Sequence, residues 1–332
     1  MLAAVQPLPR SGAIAGATTS IANGIWLRRE EAVMGTAISV ELWCEDRAAG
    51  VAAIEAVMDE MHRIDDAMSP HKDDSELSRI NRRAGKMAVP LSDEMTKLLV
   101  RAAEFSVLSH GAFDITYAAV GHLYDYRQGV RPSDVALAKA RQAVGHHHLQ
   151  VDAKAQTIRF GRPGMRIDLG GFAKGHAVDN AAAILRRHGI RHANVSAGGD
   201  SRVIGDRRGR PWTIGIRDPR NAEKMVAVLP LEDVSISTSG DYERFFEADG
   251  VRFHHLIDPA TGRSPANLHS VTILADDGLT CEALSKAVFV LGLDKGLALV
   301  ASRSGIDAVV VDAAGTLHYS SGLLAPSVPG RT

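Results

Sequence analysis

A glutamate and a lysine stand four positions apart in the apolar stretch TCEALSKAVFVLG, at Glu282 and Lys286. Side chains at positions i and i+4 share one face of a helix, so these charges can pair with each other or face a common third group. A carboxylate is a suitable oxygen ligand for Mg²⁺, and an ammonium group donates hydrogen bonds to phosphate oxygens. The pair is therefore either a structural ion pair or part of a binding site.

A second candidate is the segment MRIDLGGFAKGHAVDNAAAILRRHGI, residues 165–190. Its pattern predicts a short strand, a turn at Gly170–Gly171 and a helix that ends near Gly189. Glycines in such a turn let the backbone approach a ligand closely, and the free N–H groups of a helix N-terminus can bind phosphate. Lys174, in the first helical turn, can reach the same anion. Tight packing would require the same glycines, and neither a GxGxxG motif nor a P-loop is present.

Two groups of neighbouring histidines are the remaining candidates: His146, His147 and His148, and the pair His254 and His255. Adjacent residues of a strand point to opposite faces, so three in a row cannot converge on one metal ion. We predict a structural or solvent-facing role for the first group. By the same alternation, at most one member of the pair faces any given site.

The elements that position these groups alternate between strand-like and helical patterns. VMGTAISVELW, residues 33–43, is rich in β-forming residues and predicts a strand. Apolar residues spaced by three and four over residues 51–68 predict an amphipathic helix, whose methionines we interpret as core filling. Ser92 is a candidate N-cap for a second helix, which ends at Gly111.

Length and composition restrict the class of protein. With 332 residues, 45% of them apolar and 23% charged, the chain can bury the core of one large domain or of two lobes. A formal net charge of -1 and a pI near 6.9 give no overall field that would bind nucleic acid. Cys44 and Cys281 cannot form a disulfide framework, and no cysteine or histidine spacing indicates zinc.

The first 30 residues differ from the rest of the chain. They are small and polar, and lack a basic start followed by a continuous apolar stretch. We predict a disordered N-terminal extension or a degenerate export signal over residues 1–30. No run of 18 apolar residues occurs, so a membrane span is not expected.

Eight segments occur in the order and context of one family: VMGTAIS, MSPHKDDSELSRIN, GAFDIT, RIDLGGFAKGHAVD, SAGGD, STSGDYERFF, HHLIDPATGRSP and CEALSKAVFVLG. Over residues 33–325 the chain resembles the ApbE family, the FAD:protein FMN transferases. The resemblance implies an enzyme that transfers FMN from FAD to a threonine or serine hydroxyl of a target flavoprotein, with Mg²⁺ as cofactor and AMP as product. It also implies an α+β, T-fold-like, two-lobed single domain over residues 31–325, with mixed or antiparallel sheets, packed helices and FAD between the lobes.

The resemblance extends to individual positions. FAD contacts are implied at Met34, His71, Ala112, Phe113, Asp114, Asp168, Lys174 and Leu256. Metal-site positions are implied at the Gly171 carbonyl, Glu282 and Lys286. His71 stands where the family usually has a tyrosine that stacks on the flavin, so we expect weaker or pH-sensitive flavin binding.

Glu282 and Lys286 stand where the family helix often has the aspartate and the threonine that bind the metal. Three interpretations are open. The pair is an exposed ion pair; or Glu282 binds Mg²⁺ while Lys286 contacts the FAD phosphate; or the Lys286 ammonium takes the place of the metal. We adopt the second, with Lys286 and His255 as catalytic residues. His255 is preferred to Asp241 as proton acceptor because its unperturbed pKa lies nearer neutrality.

Two other functions use the same motifs: an FAD-binding protein without transfer activity, and an FAD pyrophosphatase that releases FMN and AMP. The family's acceptors include flavin-carrying subunits of membrane redox complexes, so we expect FAD and such a flavoprotein as partners, and no nucleic acid. Without a clear export signal we expect a cytoplasmic location. The alternative, periplasmic or inner-membrane-associated, is common in the family.

Overall fold

The computed structural model describes residues 24–323, so most of the predicted N-terminal extension lies outside the described part of the chain. The strands are β1 (Ile25–Val33), β2 (Thr36–Cys44), β3 (Val89–Pro90), β4 (Leu149–Asp152), β5 (Thr157–Phe160), β6 (Ala193–Ala197), β7 (Asp200–Ile204), β8 (Trp212–Arg217), β9 (Met225–Leu231), β10 (Ser235–Gly240), β11 (Phe245–Ala248), β12 (Val251–His254), β13 (Leu268–Ala275), β14 (Asp307–Asp312) and β15 (Leu317–Tyr319). The helices are α1 (Arg47–Met68), α2 (Glu76–Arg83), α3 (Asp93–Leu108), α4 (Ala118–Gly121), α5 (Asp134–Arg141), α6 (Ala173–Arg187), α7 (Gly278–Leu291) and α8 (Leu293–Ala301).

An eight-stranded antiparallel sheet organises the fold, in the order β1-β2-β6-β7-β10-β13-β14-β15. Helices α1, α6 and α7 pack against the sheet and against one another. Three smaller antiparallel sheets are formed by β3-β5-β4, β8-β9 and β11-β12. The fold is therefore α+β with antiparallel sheets and packed helices, as the resemblance implies.

The main core lies between the sheet and these helices. Alternate residues of β2 are buried, because successive side chains of a strand point to opposite faces. On α1 the methionines at 58, 61 and 68 are buried in the same core, as predicted from their helical spacing. The Ser92 N-cap of α3 is also confirmed, since its Oγ accepts a hydrogen bond from the Met95 N–H at 3.1 Å.

Three local predictions differ from the structure. Residues 33–43 do not form one strand, because Met34 and Gly35 turn with φ of 56° and 69° and join β1 to β2 as a hairpin. Residues 25–30, which we placed in the extension, belong to β1, where Ile25 pairs with Cys44. The short strand expected before Gly170 does not form.

Side-chain amide bonds explain the missing strand. The Asn81 side chain accepts a hydrogen bond from the Ile167 N–H at 2.8 Å and donates one to the Ile167 carbonyl at 2.9 Å. The Asp168 N–H donates to the Ile115 carbonyl at 3.0 Å. These backbone groups are therefore satisfied without a strand partner. Among residues 24–323, no helix has both the length and the apolar character that crossing a bilayer requires.

Candidate active site

Two glycines bring α6 and α7 into backbone contact. A Cβ at Gly175 would lie 2.2 Å from the Gly278 carbonyl oxygen, so only glycine permits this approach. The Asp179 carboxylate fastens the start of α7 to α6 by accepting from the N–H groups of Gly278 at 2.8 Å and Leu279 at 3.1 Å. The charged side chains near the start of each helix are thereby held beside one another.

A cluster of two lysines and two carboxylates lies at this contact. Lys174 on α6 donates to Glu282 Oε1 on α7 and lies 2.8 Å from Asp200 Oδ2, at the start of β7. The second glutamate oxygen accepts the Gly175 N–H at 2.8 Å. Lys286 Nζ lies 3.3 Å from Glu282 Oε1 and 3.3 Å from the Glu282 carbonyl oxygen. We call Lys174, Asp200, Glu282 and Lys286 the charge cluster.

Burial excludes one of the three interpretations of the Glu282–Lys286 pair. Glu282 is completely buried, so the pair is not an exposed ion pair. Burial alone would lower the pKa of Lys174, but Asp200 and Glu282 raise it well above its usual value. For Lys286 burial dominates and lowers the pKa, although Glu282 opposes the shift. Lys174 is therefore held in its cationic form, whereas the cationic form of Lys286 is less stabilised.

The oxygen donors at the charge cluster do not fit a Mg²⁺ ion. Both Glu282 oxygens already accept hydrogen bonds from Lys174, Lys286 or the Gly175 N–H. An ammonium group has no lone pair and cannot be a ligand, whereas Mg²⁺ requires a near-octahedral set of oxygens. One buried acceptor, Asp200 Oδ1, receives no hydrogen bond from the part of the chain that the structure describes. Within residues 24–323, no three His, Cys, Asp or Glu side chains converge on a point that could hold a metal.

The turn before α6 lies beside the charge cluster. The space next to the Gly171 Cα is bounded by Lys286, whose Cδ would be 3.5 Å from a Cβ there, and by Phe113 at 3.6 Å. Asp168 Oδ1 accepts the Gly170 N–H at 2.6 Å. At the start of α6 the Ala173 N–H donates to the Leu169 carbonyl at 2.7 Å and the Gly175 N–H to Glu282, so that of Lys174 is the first-turn N–H left without a partner among residues 24–323. The structure thus brings Gly171, Lys174, Glu282 and Lys286 together.

His255 belongs to the same region. Its Nδ1 is buried and has no hydrogen-bond partner within the described residues 24–323. Burial lowers the pKa of His255 to about 3, and the positive charge of Lys286 adds to the shift. The neighbouring His254 points elsewhere, with Nε2 bonded to the Pro265 carbonyl at 2.8 Å. The unperturbed pKa, on which we preferred His255 to Asp241, is therefore strongly lowered in the folded chain.

Asp241, the alternative proton acceptor, is occupied by other groups. Arg220 donates to both of its carboxylate oxygens, at 2.8 and 2.6 Å. His269 Nδ1 lies 3.2 Å from Oδ2. A buried carboxylate held by a bidentate arginine is a structural ion pair, so the geometry disfavours Asp241 as a base.

The predicted FAD contacts divide into two groups. His71 is exposed and lies near Asp168. Burial raises the pKa of Asp168, and the hydrogen bond from the Gly170 N–H and the charge of His71 oppose that rise without cancelling it. Met34 is half-buried in the hairpin turn. Of these three side chains, Asp168 is tied by the Gly170 N–H to the turn beside the charge cluster, and we call the space bounded there by Gly171, Phe113 and Lys286 the cleft.

The other group is more deeply placed. Phe113 packs edge-on against Phe105 and Phe172, and Leu256 lies in the main core. The Asp114 carboxylate accepts from the Thr116 N–H at 2.8 Å and Thr116 Oγ1 at 2.7 Å, and Oδ2 accepts from the His146 N–H at 2.7 Å. Those bonds hold the loop that follows α5, which gives Asp114 a structural role. Ala112 is half-buried beside it.

Sequence reasoning missed two charged residues of the cleft. Asp200 completes the charge cluster, and Arg244 donates to the Gly35 carbonyl at 3.4 Å. The charge of Arg244 opposes the rise that burial causes in the pKa of Asp168, and it adds to the lowering of the pKa of His255. Both lie in segments that carried the family resemblance, SAGGD and STSGDYERFF. An ionisable residue beside a glycine turn in such a segment was the available signal.

Comparisons with known proteins identify the family of the chain. The chain is 33% identical over 315 residues to the FAD:protein FMN transferase of Treponema pallidum, covering 89% of this chain and 87% of that protein. The crystal structure of the ApbE protein from Thermotoga maritima matches with a TM-score of 0.83 and 32% identity, covering 90% of this chain and 98% of that one. The flavin transferase ApbE from Vibrio cholerae matches with a TM-score of 0.78 and 28% identity, covering 90% and 97%. The ApbE family model matches residues 34–310, and the chain belongs to the ApbE family.

Proposed function

We propose that this chain is an enzyme that transfers FMN from FAD to a threonine or serine hydroxyl of a target flavoprotein, with release of AMP. Curated relatives that span nearly the whole chain carry the name FAD:protein FMN transferase. The observation that carries the proposal is the position of the Lys174 and Lys286 ammonium groups, which both contact Glu282, next to the glycine turn that precedes α6. This arrangement suits a diphosphate, which needs fixed positive charge and N–H donors.

The reaction is a displacement at phosphorus. The acceptor hydroxyl oxygen forms a bond to the FMN-side phosphorus, and the bond from that phosphorus to the bridging oxygen breaks. AMP leaves with the bridging oxygen, and the product is a phosphodiester between FMN and the acceptor. Lys174 and Lys286 would stabilise the charge that develops on the phosphate oxygens.

His255 is our proposed acceptor of the hydroxyl proton. Its imidazole is neutral at physiological pH, and its buried Nδ1 has no hydrogen-bond partner. A bound diphosphate would raise the pKa of His255, because a nearby negative charge favours the protonated ring. If the His255→Asn variant transfers FMN at the wild-type rate with saturating FAD, this role is excluded.

The isoalloxazine and ribityl parts of FAD would lie along the cleft that Asp168 and Phe113 border with the charge cluster. We retain as proposed contacts Met34, His71, Ala112, Phe113, Asp168, Lys174 and the backbone at Leu256. Arg244 is added because its charge acts on both Asp168 and His255. For Asp114 we propose an indirect role, through the loop that its carboxylate holds.

The acceptor that we propose is a flavoprotein subunit with an exposed threonine or serine, including subunits of membrane redox complexes. The test uses an acceptor subunit that one of the relatives flavinylates, and its Thr→Ala form as control. Purified chain, FAD and acceptor are incubated, and the acceptor is analysed by intact mass and in-gel flavin fluorescence. Addition of one FMN to the threonine form alone is the expected result.

The other outcomes separate the two competing functions. Free FMN and AMP without modified acceptor would identify an FAD pyrophosphatase and refute the transferase proposal. Bound but intact FAD would identify a flavin-binding protein and refute it equally. Product analysis by chromatography distinguishes these cases in one incubation.

A further inference from the structure

The two ammonium groups of the charge cluster are held to different degrees. Lys174 forms charge-assisted contacts with two carboxylates, those of Glu282 and Asp200. Among residues 24–323, the hydrogen bonds of the Lys286 ammonium are both 3.3 Å long, one to Glu282 Oε1 and one to the Glu282 carbonyl oxygen. Charge-assisted N–H···O bonds are normally about 2.7–2.9 Å, so the Lys286 contacts are weak. Lys286 therefore keeps donors that an incoming anion can use.

The position of Lys286 directs those donors toward the start of α6. Its side chain runs past Gly171. If that glycine had a Cβ, the Cδ and Cε of Lys286 would lie 3.5 and 3.7 Å from it. Its ammonium is close enough to His255 to lower the pKa of that ring. The glycine turn, the imidazole and the ammonium thus surround one region of the cleft.

A divalent cation has no place in this arrangement. Coordination by Glu282 would require breaking its bonds to Lys174, to the Gly175 N–H or to Lys286. The cation would then lie next to the two ammonium groups of Lys174 and Lys286. Their positive charges already balance the negative charges of Asp200 and Glu282. Both carboxylates are almost completely buried, with side chains 4% and 0% exposed, so solvent cannot screen the repulsion.

We propose that the Lys286 ammonium takes the place of a metal ion beside Glu282, so that this chain binds the diphosphate of FAD without a divalent cation. The inference rests on the proposed function for the identity of the ligand. Lys286 brings one positive charge where Mg²⁺ would bring two. The N-terminus of α6 and the guanidinium of Arg244 supply further positive potential to the same cleft.

FAD binding measured by flavin fluorescence, in EDTA and in excess Mg²⁺, tests the inference without an acceptor. The wild type is expected to have the same Kd in both conditions. Lys286→Thr removes the ammonium, so in EDTA it is expected to bind FAD about ten- to a hundredfold more weakly, which corresponds to the loss of one charged hydrogen bond. It also supplies a hydroxyl oxygen for a metal ion, so its affinity for FAD is expected to recover in Mg²⁺.

Two further variants complete the design. Lys286→Met keeps the length of the side chain without charge or oxygen, so its affinity is expected to stay low in Mg²⁺. Lys295→Thr makes the threonine substitution at an exposed lysine of α8 and is expected to leave Kd unchanged. Titration of Mn²⁺ into ligand-free protein is expected to show binding by Lys286→Thr and none by the wild type.

Three results would overturn the inference: a wild-type Kd that rises tenfold or more in EDTA, Mn²⁺ binding by the ligand-free wild type, or unchanged affinity of Lys286→Thr in EDTA. Failure of the proposed function looks different. Wild type that binds FAD equally in both conditions but transfers no FMN would support metal-free binding and refute the transferase. Wild type that transfers FMN only with Mg²⁺ would refute the inference alone.

Discussion

The glycine contact between α6 and α7 gives the sharpest stability prediction. In Gly175→Ala the added Cβ would lie 2.2 Å from the Gly278 carbonyl oxygen, 2.5 Å from its carbon and 2.8 Å from the Leu279 nitrogen. All three atoms are backbone, so no side-chain rotation can relieve the overlap. Reaching ordinary contact requires the helices to separate by about 1 Å.

The expected cost follows from two opposed effects. Overpacking of a buried contact costs about 1–3 kcal/mol, and weakening the Gly175 N–H bond to Glu282 adds about 1 kcal/mol. Alanine offsets less than about 1 kcal/mol through its better helix propensity. We therefore expect Gly175→Ala to lower the free energy of unfolding by about 1–4 kcal/mol. FAD affinity should fall as well, because the displaced helix carries Lys174 away from Glu282.

Urea unfolding, followed by circular dichroism and tryptophan fluorescence, measures the first effect, and flavin fluorescence measures the second. Gly85→Ala is the matched control, since no atom lies within 4 Å of its added Cβ and its φ is not positive. It should change the free energy of unfolding by no more than about 0.5 kcal/mol. Equal unfolding midpoints for the two variants would refute the packing argument. Destabilisation with unchanged FAD affinity would refute the positioning argument.

Two further predictions concern buried ionisable groups. Because the pKa of His255 is about 3 when folded and 6.5 in the unfolded chain, the unfolded state binds more protons between these values and the wild type loses stability as pH falls. His255→Gln lacks this titration, so between pH 6.5 and 4 its free energy of unfolding should fall by about 3 kcal/mol less than that of the wild type. Urea unfolding at each pH measures this difference, and parallel pH dependences of the two proteins would contradict the pKa shift. Glu282→Gln should destabilise the protein by about 3 kcal/mol, because it leaves Lys174 with one carboxylate and Lys286 with none. The exposed Glu223→Gln is the control, and equal unfolding midpoints for these two variants would show that the cluster contributes nothing to stability.

The helices were predictable because their signals are local. The three-and-four spacing of apolar residues identifies α1, and a serine cap identifies the start of α3. The hairpin at Met34–Gly35 was not predictable, since a methionine with positive φ interrupts an otherwise continuous β-forming sequence. The strand before Gly170 fails to form because Asn81, distant in sequence, binds its backbone.

The candidate site shows the same division between local and distant information. The spacing of Glu282 and Lys286 predicted that their side chains share a helix face, and their hydrogen bond agrees with it. Nothing local indicated that Asp200 would complete the cluster, because its position beside Lys174 and Glu282 depends on how β7, α6 and α7 pack in the assembled fold. Burial of Glu282, which excludes a surface ion pair, is likewise a property of the assembled fold.

The ends of the large sheet have a consequence for self-association. Its first edge strand, β1, carries four successive charged residues at 28–31, and β15 at the other edge has only three residues. Charge and shortness at an edge both hinder the addition of a strand from another molecule. Within the described part of the chain, the sheet thus ends in strands that are poor templates for intermolecular β-aggregation, a useful property when the protein is concentrated.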